Sequence, residues 1–166
     1  AVKQDPNWVA FGGTYIWVAN SGGDTVSKID PTNNSVTNIV VGTNPFGVAF
    51  DGTNIWVTNL GSNSMSKINP ATNSVTNIVT GQTDPSSMAF DGTHLWVTSG
   101  TGSPSLVKID LTNLAVTDIS DVDGLSLAGM AFDGTNIWVA DQSGSVIKID
   151  PDTNSAGLPV AVTLIA

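Results

Sequence analysis

The side chains best suited to chemistry are few. His94 is the one histidine among 166 residues, and the fourteen acids are all aspartates. A general base needs an orienting partner for its proton acceptor, and no residue spacing supplies one for His94. In the repeats described below, His94 also takes a turn position that Tyr15, Asn54 and Asn136 fill in the other copies. It therefore reads as a solvated turn residue. The run Asp118-Ile119-Ser120-Asp121-Val122-Asp123-Gly124 carries three carboxylates in seven residues. Calcium takes oxygen ligands from such loop positions, so Asp118, Asp121 and Asp123 form a candidate calcium set. The run lacks the closing bidentate glutamate of an EF-hand, and a solvated acidic loop is the plainer reading. No other cofactor is expected. Lys28, Lys67, Lys108 and Lys148 recur at matching positions. They read as apolar stems with wet heads, whereas a catalytic lysine would stand alone.

The charge balance excludes some partners. The formal charge is −9, with five lysines and no arginine. Phosphate backbones need cations, so nucleic acid is not an expected partner; nor is an anionic membrane surface. There is no cysteine, hence no disulfide and no thiolate metal site, and redox compartment stays open. Charged residues are only 11%, with Ser, Thr, Asn and Gly supplying most of the polar surface. That balance suggests an extracellular or cell-surface location. No apolar run approaches the roughly 20 residues of a membrane span, so no membrane insertion is expected. No basic-then-apolar leader occurs, and an export signal is expected only outside this sequence or already removed.

The elements that must position these groups come from repetition. The stretch Phe50-Asp51-Gly52-Thr53-Asn54-Ile55-Trp56-Val57-Thr58-Asn59 has counterparts at 11–20, 90–99 and 132–141, with the phenylalanines spaced by 39, 40 and 42 residues. Such a period outranks any local motif in deciding a fold. Each period holds four short β segments. In the second copy, 46–50 ends at Asp51-Gly52, a tight-turn signal. The second strand is 54–58, and a small-residue loop leads to the third at 64–68. Asn69-Pro70-Ala71-Thr72-Asn73 is a turn whose proline presets φ, and the fourth strand is 74–79. No segment carries helical periodicity, and β-branched residues dominate.

The second strand does not alternate. Ile55, Trp56 and Val57 are apolar in succession, so both sheet faces must be buried. Small four-stranded sheets stacked radially do this, which makes the chain an all-β β-propeller. One domain, 1–166, is expected, with blades near 6–44, 45–84, 85–127 and 128–166. Trp17, Trp56, Trp96 and Trp138 read as the packing groups between blades, each costing about 3–5 kcal/mol on truncation to alanine.

Trp56-Val57-Thr58-Asn59 and its counterparts resemble the YVTN β-propeller repeat, with tryptophan in the tyrosine place. Pro45-Phe46-Gly47-Val48-Ala49 resembles the opening of the related NHL-type repeats. The resemblance covers nearly the whole chain. It implies the propeller fold and leaves function open, because such repeats serve surface-layer proteins, binding modules and a few enzymes. Streptogramin lyases, which are distantly similar, are seven-bladed and depend on histidines, a glutamate and Mg²⁺; this chain has one histidine and no glutamate.

Both ends depart from the pattern. Residues 1–6 align with the end of a fourth strand, and 155–160 break the Ser-Val-Thr-Asn-Ile-Val pattern. The tail 160–166 reads as a strand. An open array would expose an apolar face and a strand edge at each end. Either four blades close on themselves, or the ring is completed from outside by a second copy or a longer polypeptide. Completion from outside, as a homo-oligomer or part of a larger chain, is the expectation.

Ligands are expected where variable loops and blade connections share one end of the sheets. The candidates there are Asp5, Asn7, Trp8, Asp24, Phe46, Asn59, Asp84 and Asp141. Trp8 takes the register of Gly47, Ser87 and Gly129, a large aromatic in place of a small residue. It either covers the edge of the first blade or offers a platform for a sugar ring or a protein partner. The chain thus reads as a non-enzymatic extracellular or cell-surface module that binds a protein or glycan, or helps a structural assembly. The alternative is a fragment of a streptogramin lyase-like enzyme whose catalytic residues lie in blades absent here.

Overall fold

The structure is a computed structural model that describes residues 4–100 and 105–161. The first sheet holds β1 (Pro6–Gly12), β2 (Tyr15–Asn20), β3 (Thr25–Ile29) and β4 (Val36–Val40). The second holds β5 (Pro45–Phe50), β6 (Ile55–Asn59), β7 (Ser64–Ile68) and β8 (Val75–Ile78). The third holds β9 (Pro85–Phe90), β10 (His94–Ser99), β11 (Leu106–Asp110) and β12 (Val116–Asp118). The fourth holds β13 (Leu127–Phe132), β14 (Ile137–Asp141), β15 (Ser145–Ile149) and β16 (Val160–Ala161). Each sheet is a meander of neighbouring strands, one sheet per repeat, as the period requires. The only helical segments among the described residues are three 3-10 turns, at Ser21–Gly23, Leu60–Ser62 and Ser120–Val122. The tail strand is present as β16, paired to Ser145 and Val146; residues 162–166 lie outside the described residues.

Turn chemistry explains the short strands. At β5–β6, Gly52 has φ +90° and the Asp51 carboxylate accepts the backbone N–H groups of Thr53 and Asn54. At β7–β8, Asn73 takes the left-handed conformation at φ 61° while Asn69 Oδ1 accepts the Ala71 N–H. Asn tolerates that conformation because its short side chain crowds the backbone little.

The chain divides between Ser86 and Ser87 into two compact units. In the first unit, Trp17, Val26, Val48, Ile55, Val57 and Ile68 form one buried cluster between the first two blades. In the second, Trp96, Leu106, Ile119, Ile137, Val139 and Ile147 do the same for the last two. All five residues of β6 are buried, as its unbroken apolar run demands. The second strands of the first and last blades behave differently. Trp17 and Ala19 are buried while Ile16 and Val18 are half-buried; Ile137 and Val139 are buried while Trp138 and Ala140 are not. Burial of both faces therefore fails for these two strands. Trp17, Trp56 and Trp96 are 0–1% exposed, but Trp138 is only partly buried, short of the core role expected for it.

Candidate functional site

The loop ends of the blades are organised by aspartate and asparagine. Asp5, Asn44 and Asp84 each precede a proline and sit at φ 52°, 53° and 49°. Asp24 and Asn63 close the 3-10 turns at φ 49° and 50°. The Asp24 carboxylate accepts the Asn44 N–H at 2.8 Å, and Asn63 Oδ1 accepts the Asp84 N–H at 2.9 Å. The Asp5 carbonyl accepts the Ser21 N–H at 3.0 Å. Asp5, Asp24 and Asp84 thus serve as joints between the loop after a second strand and the connection into a blade.

Asn59 is fully buried. Its Nδ2 donates to Ser64 Oγ at 3.2 Å and Ser66 Oγ at 3.0 Å, and Ser66 donates on to Asn77 Oδ1 at 2.9 Å. The first blade repeats the chain, with Asn20 donating to Ser27 at 2.9 Å and Ser27 to Asn38 at 2.7 Å. This asparagine ties strands two, three and four of its blade together and is out of a ligand's reach. The recurrence of Asn, Ser and Asn at the same positions in both repeats was the available signal. The third blade has Val107 and Asp118 at the Ser and last Asn positions, so the relay is absent there. Asp141, in the fourth blade, is buried and accepts from the hydroxyls of Ser143 and Ser145, which hold its own turn. The Ser143 hydroxyl is the main cause of its lowered pKa.

A second repeated device was also not foreseen. The carboxylate of Asp51 accepts the Trp56 indole N–H at 2.6 Å, Asp91 that of Trp96 at 2.7 Å, and Asp133 that of Trp138 at 2.6 Å. Gly12 stands at this position in the first blade, and the buried Trp17 Nε1 has no partner. The Trp138 hydrogen bond, then those from Asn136 and Thr135, hold Asp133 down to about 2. Burial pushes Asp51 and Asp91 up, but their tryptophan and backbone donors together outweigh it, and both end below the usual value. His94 Nδ1 lies 3.3 Å from Asp91 Oδ2. That carboxylate already accepts Trp96 and the backbone N–H groups of Thr93 and His94. The surrounding groove, lined by Asp91, His94, Phe132, Thr135 and Pro151, has a counterpart in the first unit at Tyr15, Phe50, Thr53 and Pro70. It is a feature of the repeat.

The acidic run does not converge. Asp121 accepts the Ala156 N–H at 3.1 Å and Asp123 the Ser105 N–H at 3.0 Å. Asp118 is raised by desolvation and then by the nearby Asp123 charge. No group of three acidic or histidine side chains able to hold a metal ion occurs among the described residues.

Trp8 and Phe46 do meet. Their ring centroids are 6.1 Å apart at 39°, and Trp8 is half-buried, packed on the edge of the first unit's core. Asn7 and Asp5 lie exposed beside it in the chain. In the second blade the corresponding place is closed: a Cβ on Gly47 would fall 2.4 Å from the Ser86 carbonyl oxygen. The aromatic pair therefore fills a space that backbone occupies one repeat later. Among the sequence candidates, Trp8, Phe46, Asn7 and Asp5 remain as a surface cluster. The loop residues 101–104, part of the same expected face, lie outside the described residues.

No family model matches the sequence, and no curated protein matches it. Solved structures do match the fold. One is a catalytically inactive virginiamycin B lyase from Staphylococcus aureus with quinupristin, at TM-score 0.74 and 18% identity over 85% of this chain. Another is Kuenenia stuttgartiensis hydrazine synthase, at TM-score 0.80 and 19% identity over 98% of this chain. This chain spans half the length of each of them. At such identities the likeness speaks for architecture alone, and the architecture is four propeller blades of four antiparallel strands each.

Proposed function

We propose that this chain is a non-enzymatic propeller module of the YVTN type, extracellular or at a cell surface, that binds a glycan or protein partner at the loop end of its first blade. The Trp8–Phe46 pair carries this reading: two aromatic rings 6.1 Å apart, with Trp8 half-exposed. Exposed Asn7 and Asp5 beside them add polar groups that could fix orientation. A flat apolar ring with polar neighbours suits a sugar face or a protein anchor. The case against catalysis is that the acids nearest to usable geometry are already committed to indole and backbone donors within the fold.

Titration of soluble oligosaccharides, followed by tryptophan fluorescence, tests the reading. Saturable binding should vanish in Trp8→Gly while the melting temperature moves by only a few degrees. A variant that is destabilised yet still binds overturns it. The second reading, a fragment of a lyase-like enzyme, draws on the likeness to virginiamycin B lyase. Incubation with quinupristin and mass analysis separates the two: the module leaves the compound unchanged.

A further inference from the structure

The groove that each unit carries at its strand turns differs in charge between the two. Asp91, His94 and Asp152 are among the residues lining the groove of the second unit. Gly12, Tyr15 and Ala71 take those positions in the first unit, and no acid lines that groove among the described residues. Its charged group is Lys28. Lys28 Nζ lies 4.0 Å from the Tyr15 ring centroid and 5.6 Å from that of Trp17. It donates to the Pro70 carbonyl at 2.6 Å and to Asn73 Oδ1 at 3.2 Å, both in the β7–β8 turn of the next blade. Lys108 makes the same pair of contacts, with Pro151 and Asn154.

Lys28 is short of a counter-charge. An ammonium has three N–H donors, and the two that Lys28 uses go to uncharged acceptors. It makes no ion pair among the described residues. Asp30 and Asp51, the acids nearest to the groove in sequence, are held by donors of their own turns. Burial pulls the Lys28 pKa down, with no acid to offset it. The missing aspartate leaves a second mark. Trp17 Nε1, 2.6 Å from where a Cβ on Gly12 would stand, lacks the acceptor that Asp51, Asp91 and Asp133 give its counterparts. The groove measures about 460 Å³, within the range of small-molecule sites. Half-buried Phe50 forms one wall, its ring packed where a Cβ on Gly13 would lie 3.5 Å away.

We propose that the groove of the first unit binds a ring-bearing carboxylate. The carboxylate takes the third N–H of Lys28, a charge-assisted hydrogen bond, and the ring lies against Phe50. The ligand thus supplies the negative charge that aspartates supply in the second unit's groove. An aromatic acid and an acidic sugar share this chemistry. The site uses none of the residues around Trp8, so it stands apart from the glycan or protein reading.

Calorimetric titration of the whole chain with phenylacetate and with glucuronate is the test, each run beside its neutral amide. One or both acids should bind saturably, with the matching amide about tenfold weaker or more. Which acid binds identifies the source of the ligand. Lys28→Met keeps the stem and should abolish the preference for acid over amide. Because Lys28 also holds the β7–β8 turn, a second variant decides if that one fails to fold. Ala71 is exposed, and Asp152 stands at its place in the fourth blade, so Ala71→Asp should keep the melting temperature. It should weaken acid binding by about tenfold and leave amide binding unchanged. Trp8→Gly should bind the acids as the unaltered chain does. The proposal is overturned if neither acid binds, if the amides bind as well as the acids, or if Ala71→Asp binds the acids undiminished.

Discussion

Trp56 Nε1 donates to Asp51 Oδ2 at 2.6 Å, closing a loop over the β5–β6 turn between residues five apart in sequence. One carboxylate thereby holds the turn through Thr53 and Asn54 and satisfies the polar edge of a buried indole. Asp51→Ala removes all four acceptor contacts, from the Thr53 and Asn54 backbone, the Asn54 side chain and the indole, and leaves an indole N–H buried without a partner. The expected loss is about 1–3 kcal/mol, or about 3–10 °C in a calorimetric melt for a chain of this size. Asp51→Asn keeps an acceptor oxygen and should lose less than half as much. An unchanged Asp51→Ala melt would mean that the clamp adds nothing.

Acid should unfold the protein from about pH 4 downward. Asp51, Asp91 and Asp133 have folded pKa values below the ordinary 3.8, that of Asp133 at about 2. As pH falls, the unfolded chain takes up these protons before the folded one does. Their contribution to stability is therefore complete above about pH 4 and is lost as pH falls through 3.8 toward 2. Asp118, raised by burial and by Asp123, acts in the opposite sense but stands alone. Melting temperature should be flat from pH 7 to about 4.5 and drop below, with a shallower drop in Asp133→Asn.

Ser66→Ala tests the buried relay. It removes one of the two hydroxyl acceptors of Asn59 Nδ2, which keeps Ser64, and the donor to Asn77 Oδ1 at the exposed end of the relay. The expected cost is about 0.5–1.5 kcal/mol, with faster amide exchange along β7 and β8. Thr76, exposed on the same edge, is the control, and Thr76→Ala should be silent.

Two glycines at one register should behave oppositely. A Cβ on Gly47 would lie 2.4 Å from the Ser86 carbonyl oxygen, whereas one on Gly129 meets nothing within 4 Å. Gly47→Ala should therefore cost about 1–3 kcal/mol, while Gly129→Ala should be neutral or stabilise by up to about 1 kcal/mol. Equal effects would contradict the close approach of strand β5 to Ser86.

The period of the sequence carried the architecture, because turn chemistry at Asp51-Gly52 and Asn69-Pro70 and an unbroken apolar run at 55–57 all act locally. The register that sets Trp8 beside Phe46 was readable for the same reason. Asn59, named among the loop-end candidates, is fully buried and ties strands of its own blade together. Its role depends on Ser66 and Asn77, seven and eleven residues apart along the relay, and only strand pairing brings them together. The recurrence of the same trio at Asn20, Ser27 and Asn38 held that information, but a polar strand end beside a variable loop looks alike whether it is buried or open. The aspartate clamps were hidden likewise, since Asp-Gly was already explained by its turn. Exposure of Trp138 is a property of what lies against the last blade, which no residue within the repeat encodes.

The lysine contact between successive blades has a consequence for heredity. Lys28 hooks onto the Pro70 carbonyl and Asn73 of the second blade, and Lys108 onto the Pro151 carbonyl and Asn154 of the fourth. The third blade carries Leu111 and Leu114 at those two turn positions. A segment of 39 to 42 residues that is duplicated therefore brings a matched junction with it only when its last turn keeps the proline and the asparagine.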